Sequence, residues 1–315
     1  MRKANFDGAL SNAPRVAVVG AGAVGCYFGG MLARAGVPVV LIGRPALAEA
    51  VRRNGLFLDC LTFQERVDAE VSTELSAAKG ADIVLFCVKT LDTETAAKQL
   101  APHLKREAIV VSMQNGVDNA ERMRQAAGID AISSAVYVAA AVPEPGRVKH
   151  SGRGDLVIGP RTARAARVAA LFETAGVRCP ITDNIATELW TKLVWNCAGN
   201  AISALGRVNY GQLAAAEYAH PLLEMVVAET LAVARAAGVE IPSLAEPKAA
   251  SAGAMKLLKQ MGPATSSTAQ DLSRGKRTEI DSLNGYVSRK GAQLGVPTPV
   301  NYTLYTLVKL AEENL

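Results

Sequence analysis

The sequence contains few of the residues that bind metals or form disulfides. Its 315 residues include only five cysteines and three histidines. The cysteine count is odd, no C-x-x-C spacing occurs, and most cysteines stand in apolar segments. We therefore interpret them as small buried hydrophobic residues in a reducing compartment. The histidines are far apart and form no metal-binding pattern. We predict no metal site and a cytoplasmic location.

Long apolar runs and concentrated charge are also missing. Every apolar run is interrupted well before the roughly 20 residues that a membrane span needs. The net charge of +5 and the pI of about 9.0 mildly favour anionic ligands. This charge is too diffuse for a nucleic-acid interface, which needs a clustered basic stripe. Residues 1–14 have no apolar core and no cleavage pattern, so we expect a disordered arm there rather than a signal peptide. We predict no membrane and no nucleic-acid partner.

Two kinds of pattern divide the rest of the chain. Up to about residue 183, short apolar strands alternate with helical segments, which is typical of a mostly parallel sheet wrapped by helices. The predicted strands cover residues 15–20, 37–42, 82–88 and 108–113, with a β-rich segment at 130–159. The predicted helices cover residues 25–35, 93–104, 119–127 and 163–175.

Beyond about residue 183 the strand patterns nearly vanish and alanine-rich helical patterns replace them. The predicted helices cover residues 185–205, 220–237, 247–260, 266–291 and 303–313. We therefore predict an α/β Rossmann domain over residues 15–183, followed by an all-α domain over residues 184–315.

A G-x-G-x-x-G sequence follows the first predicted strand and opens the first predicted helix. This context makes it a candidate dinucleotide-binding loop. Gly20 permits the tight turn, Gly22 lets the backbone approach a pyrophosphate, and Gly25 allows close packing of helix and strand. The alternative is a glycine-rich turn without a ligand. The predicted phosphate-binding residues are Gly20, Ala21, Gly22, Ala23, Val24 and Gly25.

The end of the second predicted strand lacks an expected acid. Rossmann domains that bind NAD carry an acidic residue there, about 20 residues after the loop, to bind the adenosine ribose. Arg44 stands in that place. An acid would repel a 2′-phosphate, whereas an arginine binds one. The position favours NADP over NAD, the alternative being an arginine that only ends a strand.

A polar stripe runs along the helix predicted at residues 185–205. Glu188, Lys192, Asn196 and Asn200 are spaced by four and so share one face, while most other positions are apolar. A narrow polar stripe on a largely buried helix faces something polar, such as a site. A solvated face with a Glu188–Lys192 ion pair is the alternative.

The stripe also carries a family resemblance. Residues 188–200 read ELWTKLVWNCAGN, which resembles the E-L-W-x-K-L-x-x-N-x-x-x-N signature of ketopantoate reductases (2-dehydropantoate 2-reductases). The resemblance covers about residues 15–310. The further matching motifs, in order, are the glycine loop, Val88-Lys89, Gln114-Asn115-Gly116, Ser266-Ser267, Gln270-Asp271, Thr278–Asp281 and Asn284-Gly285.

The resemblance implies a role for each matching position. It implies that Lys192 is the general acid and that Glu279 engages Lys192 or the nascent hydroxyl. It also implies a second domain like the C-terminal domain of 6-phosphogluconate dehydrogenase, with the site between the domains. The implied substrate-binding residues are Asn115, Asn196, Asn200 and Ser267. The implied NADPH-binding residues are Gly20–Gly25, Arg44, Lys89 and Asn115.

Three of these motifs also have an alternative explanation in local structure alone. Asn115 with Gly116 suits a plain turn, Ser266 and Ser267 suit a helix N-cap pair, and Glu279 suits an acid on a helix surface. Two positions also depart from the family pattern. Tyr210 stands where the family often has Asn before the glycine that here is Gly211, and Asp92 stands near the place of a common Gln. Both departures leave the exact 2-oxo acid open.

The resemblance implies NADPH-dependent reduction of ketopantoate to pantoate, a step in pantothenate and coenzyme A biosynthesis. One alternative is a reductase of another bulky 2-oxo acid on the same scaffold. Another is a non-catalytic NADPH-binding regulatory protein, which would need only the glycine loop. We expect a monomer or a homodimer.

Overall fold

The computed structural model describes residues 13–314, so the arm expected over residues 1–14 lies almost wholly outside the described chain. The chain divides into two compact units. The first contains the chain up to Gln114 together with Asp118–Ile185, and the second contains Asn115–Val117 together with Ala186–Leu315. Within residues 13–314, no helix combines the length and apolar character that a bilayer span requires.

The first unit is built on one nine-stranded sheet. Its strands are β1 (Val16–Val19), β2 (Val39–Ile42), β3 (Leu56–Asp59), β4 (Gln64–Val67), β5 (Glu70–Ser72), β6 (Ile83–Phe86), β7 (Ile109–Ser112), β8 (Ile132–Glu144) and β9 (Arg147–Gly159). Their order is β4-β3-β9-β8-β7-β6-β1-β2-β5. Only the pairs β3–β4 and β8–β9 are antiparallel among these described strands.

Helices cover both faces of this sheet because its central strands are apolar on both sides. The helices are α1 (Ala23–Arg34), α2 (Pro45–Asn54), α3 (Thr93–Leu100), α4 (Asn119–Ala127) and α5 (Ala163–Thr174). Val16 and Val18 face a core shared with α1, α2 and α5. Ala17 and Val19 face a second core shared with α3 and α4. All four side chains are at most 1% exposed, as expected for a parallel strand covered on both faces.

Strand order reverses at β1, which lies between β2 and β6. In open α/β sheets such a switch point opens a crevice at the carboxyl ends of the strands, where ligands bind. Because β1, β2, β6 and β7 run parallel, the residues that follow them emerge at the same edge. Those residues are Gly20, Arg44, Lys89 and Gln114.

The second unit is helical. Its helices are α6 (Ile185–Gly206), α7 (Tyr210–Ala215), α8 (His220–Ala236), α9 (Pro247–Met261), α10 (Ser267–Ser273), α11 (Asn284–Leu294) and α12 (Pro299–Glu313). Long α6 supplies Trp190, Leu193, Val194 and Cys197 to a core that it shares with the other long helices. This helix is therefore buried along most of its apolar surface, as its sequence predicted.

The predicted α/β plus all-α fold class is confirmed, but one helical prediction was wrong. The stretch predicted over residues 266–291 is two helices with a short 3₁₀ turn at Ile280–Ser282 between them. Gly275 has a φ of +61°, and its N–H and that of Lys276 donate to the carbonyls of Leu272 and Asp271. These bonds form a Schellman motif, which ends α10.

Other differences concern short elements and one helix start. The patterns missed β3, β4, β5, α2 and α7, which are short or largely exposed on one side. Helix α12 begins at Pro299 rather than at residue 303. The reason is distant in sequence: the Glu229 carboxylate accepts bonds from the N–H groups of Val300 and Asn301, which satisfies the first turn of the helix.

Candidate functional site

The three glycines of the loop after β1 have different surroundings. Gly20 has a φ of +89°, and a Cβ there would lie 2.6 Å from the backbone nitrogen of Val88. A Cβ on Gly25 would lie 2.8 Å from a methyl carbon of Val18. Gly22 is exposed, and a Cβ there would meet no described atom within 4 Å. The loop is thus packed at its two ends and open in the middle.

The open part of the loop is also the start of α1. Gly22 is the N-cap of this helix and, as a glycine, has no side chain with which to cap it. The N–H groups of a first helical turn have no partner inside the helix and carry a partial positive charge. An open glycine above such a turn leaves room for a phosphate group. The residues present therefore fit the pyrophosphate of a dinucleotide.

Arg44 lies beside this loop. A Cβ on the preceding Gly43 would lie 3.2 Å from the Cβ of Ala21, so the end of β2 packs against the loop. Arg44 is exposed and forms the N-cap of α2. Among residues 13–314, no carboxylate forms an ion pair with it. An unneutralised guanidinium beside a phosphate loop suits a further phosphate group.

Lys89 follows β6 on a segment that a buried polar network holds in place. The Gln114 amide nitrogen donates to the Val88 carbonyl at 3.1 Å and to the Thr93 hydroxyl at 2.8 Å. Arg122 donates to the carbonyl of Thr90 at 2.8 Å. Lys89 itself is exposed, as is Asp92. The network fixes the backbone that carries Lys89 and leaves its side chain at the surface of the first unit.

In the second unit, Lys192, Asn115 and Glu279 form a chain of hydrogen bonds. The Lys192 ammonium donates to Asn115 Oδ1 at 2.9 Å, and Asn115 Nδ2 donates to Glu279 Oε2 at 2.9 Å. Both distances are normal for hydrogen bonds. The amide therefore links the ammonium to the carboxylate. Glu279 is 8% exposed, so it is a buried acid rather than an acid on a helix surface.

Asn115 reaches this group from a turn. Gly116 has a φ of +98°, and Val117 packs against the core of the second unit. The turn expected from the sequence is therefore present, and it directs the Asn115 side chain towards α6. The plain-turn interpretation describes the backbone correctly but leaves out the two side-chain bonds.

A second polar group on α6 surrounds Asn200. Its Nδ2 lies 3.5 Å from the Ser267 hydroxyl, and its Oδ1 accepts a bond from the Tyr210 hydroxyl at 2.8 Å. Ser266, not Ser267, caps α10, because its side chain accepts from the N–H of Ala269. Ser267 is exposed and so is available to a ligand.

Asn196 lies on α6 midway between Lys192 and Asn200. It is half-buried, and its side chain has no hydrogen-bond partner among the described residues. An amide between two polar groups can donate to, and accept from, a bound molecule. Since Lys192 and Asn200 on either side of it bond to residues outside α6, this part of the polar stripe is not a plain solvated face.

The segment that carries Glu279 is fastened to the C-terminal helix. The N–H and the hydroxyl of Thr278 both donate to Glu312 Oε1, at 2.7 and 2.6 Å. Lys309 donates to Glu312 Oε2 at 2.7 Å and to Asp281 Oδ2 at 3.2 Å. We call Thr278, Asp281, Lys309 and Glu312 the α12 clamp. It was not predicted, although Thr278 belongs to a recognised motif.

The predicted site residues thus fall into two groups, one in each unit. The first unit holds the glycine loop, Arg44 and Lys89 at one edge of its sheet. The second unit holds Asn115, Lys192, Asn196, Asn200, Ser267 and Glu279. The residues that sequence reasoning gave no role are Gln114, Thr278, Glu312 and Tyr210. Gln114 and Thr278 carried a signal as members of matching motifs, and Tyr210 as a departure from the family pattern, whereas Glu312 carried none.

Chemically, the second-unit group combines an ammonium, several amides and hydroxyls, and one buried carboxylate. Amide and hydroxyl donors bind carboxylate and hydroxyl oxygens. An ammonium can stabilise a developing alkoxide and donate a proton to it. The arrangement suits a small anionic substrate with a carbonyl to be reduced.

Comparison with known proteins agrees with this reading. Residues 16–163 match the family described as "Ketopantoate reductase PanE/ApbA", and residues 184–312 match "Ketopantoate reductase PanE/ApbA C terminal". The "2-dehydropantoate 2-reductase" of Halobacterium salinarum is 34% identical over 307 residues, covering 95% of this chain and 99% of the relative. That of Vibrio cholerae is 32% identical over 308 residues, covering 95% and 98%.

A solved structure extends the likeness to three dimensions. The "PanE/ApbA family ketopantoate reductase" from Ralstonia eutropha JMP134 is 46% identical and covers 95% of this chain and 99% of its own, with a TM-score of 0.89. The resemblance inferred from the motifs is confirmed. The chain belongs to the ketopantoate reductase PanE/ApbA family, with an α/β dinucleotide-binding domain and an all-helical C-terminal domain.

Proposed function

We propose that this protein is an oxidoreductase that reduces 2-dehydropantoate (ketopantoate) to pantoate with NADPH, a step towards pantothenate and coenzyme A. The observation that carries the proposal is the hydrogen-bonded chain Lys192–Asn115–Glu279 on the same unit as the Asn200–Ser267 pair. A non-catalytic NADPH-binding protein would have no use for this second group.

The cofactor would be held by the open loop around Gly22, by the start of α1 and by Arg44 at the end of β2. When bound, a nicotinamide supplies the hydride for C2 of the 2-oxo acid. Arg44 favours a cofactor with a 2′-phosphate, because no carboxylate within residues 13–314 competes for its guanidinium. Lys89 and Asn115 are proposed to lie by the cofactor and the substrate.

Lys192 supplies the proton in the proposed reaction. As hydride arrives at C2, negative charge develops on the carbonyl oxygen, and the Lys192 ammonium stabilises it and donates the proton that completes the hydroxyl. The side-chain oxygen of Asn115 accepts a hydrogen bond from the Lys192 ammonium, and the side-chain nitrogen of Asn115 donates one to the Glu279 carboxylate. Glu279 thus places a negative charge one amide away from the proton donor, which keeps the ammonium stable in a partly buried site.

The donors around the lysine suit the rest of the substrate. Asn196, Asn200 and Ser267 are proposed to bind the carboxylate and hydroxyl oxygens of the 2-oxo acid. One observation favours a second candidate substrate, another bulky 2-oxo acid. Tyr210, which replaces a common Asn of the family, is buried directly against Asn200 and alters the shape and polarity of this region.

The proposal also includes a location and an assembly. We propose a cytoplasmic protein that acts as a monomer or a homodimer without nucleic acid. All five cysteines are free, and four of them are buried. Burial raises the pKa of the Cys26 and Cys179 thiols to about 12, so both stay protonated and unreactive at neutral pH. Free thiols suit a reducing compartment.

The test combines a substrate panel with a lysine variant. NADPH oxidation is measured with ketopantoate, pyruvate, phenylglyoxylate and branched 2-oxo acids, and ketopantoate is expected to have the highest kcat/KM. In Lys192→Ala, kcat is expected to fall by about 10²–10⁴-fold, with NADPH affinity nearly unchanged. Lys192→Arg keeps the charge but is a poor proton donor, so it should recover little.

The control is Lys248→Ala, which removes an exposed lysine from the same unit and should leave kcat unchanged. A folded Lys192→Ala protein with near wild-type turnover would end the proposal for this lysine. A clearly higher kcat/KM for another acid of the panel would replace ketopantoate by that acid.

A further inference from the structure

Tyr210 is built into the second unit by both its ring and its backbone. It is the first residue of α7 and is 6% exposed. Its ring packs on Gly199 of α6, where a Cβ would lie 3.1 Å from ring carbon Cε1. The N–H of Tyr210 donates to the carbonyl of Ala264 at 3.0 Å. These contacts hold the ring in one place between α6 and the segment that leads into α10.

The Tyr210 hydroxyl reaches the amide of Asn200, the residue after Gly199. It donates to Asn200 Oδ1 at 2.8 Å. The direction is fixed, because an amide oxygen can only accept. Burial raises the pKa of the Tyr210 phenol well above its ordinary value, so the hydroxyl keeps the proton that it donates.

In the arrangement present, the Tyr210 hydroxyl satisfies the oxygen of the Asn200 amide. With Oδ1 occupied by Tyr210, Nδ2 is turned towards Ser267, 3.5 Å away. The backbone of Asn200 is anchored as well, since its carbonyl accepts from the hydroxyls of Ser203 and Ser266. Without the phenol, Asn200 Oδ1 loses this donor, and the amide is free to turn and present its oxygen to Ser267 and to a ligand instead.

We propose that Tyr210 is a positioning residue that acts through Asn200, holding its amide so that the nitrogen faces an acceptor oxygen of the anionic 2-oxo acid. The inference rests on the proposed function, which assigns Asn200 to substrate binding. It adds a residue that replaces a family Asn, together with a defined direction for the substrate hydrogen bond. Tyr210 contacts Asn200 directly, and it is Asn200 that contacts the substrate in the proposed arrangement.

The first experiment is Tyr210→Phe, which keeps the ring and removes only the hydroxyl. Loss of one neutral hydrogen bond corresponds to about a two- to tenfold change in an equilibrium constant. We expect KM for the 2-oxo acid to rise by about this factor, while kcat stays within about twofold and NADPH affinity does not change. The matched control is Thr230→Val, which removes a buried hydroxyl bonded to Val226 in the same unit.

The control separates positioning from stability. Both variants are expected to unfold at a lower temperature than the wild type, since each loses a buried hydrogen bond, but only Tyr210→Phe should raise KM. A Tyr210→Phe protein that is less stable and keeps the wild-type KM would show a purely structural role and overturn the proposal.

The second experiment is a double-mutant cycle with Asn200→Ala. If Tyr210 acts through Asn200, Tyr210→Phe has no further effect on KM once the amide is gone. Full additivity of the two KM effects would overturn the proposal. The cycle uses whichever 2-oxo acid the wild type reduces best, so an error in the substrate alone leaves the test intact. A wild type that reduces no acid of the panel would refute the proposed function, and this inference with it.

Discussion

At the scale of single residues, Arg44 is a charged side chain with no ion-pair partner in the described part of the chain. It stands beside the glycine loop, exposed, and no carboxylate among residues 13–314 neutralises it. Most other arginines of the first unit are paired, as Arg53 is with Glu49 and Arg147 with Asp59. A cation at this position without an ion pair is consistent with a cofactor that carries a 2′-phosphate, which NADPH has and NADH lacks.

Arg44→Ala is therefore expected to weaken the binding of NADPH but not that of NADH. A charged hydrogen bond contributes about 1.5–3 kcal/mol, so NADPH should bind about ten- to a hundredfold more weakly, while NADH binding stays nearly the same. Titration of each variant with both cofactors measures the two dissociation constants. Arg53→Ala, at the far end of α2, is the control and should change neither. An equal loss for both cofactors would assign Arg44 a structural role.

The polar positions on α6 show how residues on one face differ in role. Lys192 bonds to Asn115, Asn196 has no side-chain partner among the described residues, and Asn200 is held by Tyr210. The spacing predicted that these side chains share a face. It could not predict their partners, which come from other helices and from a turn after β7.

At the scale of elements, α12 holds the segment around Glu279 in place, which its own sequence does not indicate. The α12 clamp connects Glu312 and Lys309 of this helix to Thr278 and Asp281, on either side of Glu279. The side chain of Glu312 is only 5% exposed. The short segment between α10 and α11 is therefore held in place by a helix that follows it in the chain.

Removing the clamp should affect stability and turnover together. Glu312→Ala leaves the N–H and hydroxyl of Thr278 without their acceptor, and we expect a loss of about 1.5–3 kcal/mol in the free energy of unfolding. Because Glu279 adjoins Thr278, kcat should fall as well. Glu313→Ala, the exposed neighbour, should change neither quantity. Denaturant unfolding and steady-state kinetics measure both, and normal kcat in a destabilised Glu312→Ala protein would contradict the positioning role.

At the scale of the whole molecule, each unit has its own core and its own polar anchors. In the first unit, Asp82 at the start of β6 accepts from the Lys105 ammonium at 2.5 Å and from the N–H of Arg15 at 2.8 Å. The Lys105 hydrogen bond is the main reason why the pKa of Asp82 lies below its ordinary value of 3.8. The pair joins the starts of β1 and β6 to the residues before β7.

This lowered pKa gives a pH dependence of known sign. A carboxyl with a depressed folded-state pKa contributes stability that is complete above its unfolded pKa and is lost as pH falls through the folded value. Asp82→Asn should therefore lower the free energy of unfolding at pH 7, by at most about 1 kcal/mol in a partly exposed pair. This difference between the variant and the wild type should disappear below about pH 4. Asp68→Asn, an exposed aspartate, should show no difference at any pH. A difference for Asp82→Asn that persists in acid would refute the assignment.

The sequence by itself determined the fold class and most of the regular elements. The strands β1, β6 and β7 and the helices α4 and α6 were predicted close to their observed bounds. The reason is that the spacing of apolar residues that identifies each element is contained in its own consecutive residues. The motifs also predicted the family, since they depend on residue identity and order alone.

Only the tertiary structure decided how the site residues meet. Asn115 and Glu279 are separated by 164 residues, Lys192 and Asn115 by 77, and Thr278 and Glu312 by 34. No local period encodes such contacts, because they depend on the packing of α6, α10 and α12 and on the turn at Gly116. The opposite outcomes for Ser266 and Ser267 have the same cause: both suit an N-cap, and the geometry of α10 gives the cap to the first and leaves the second exposed.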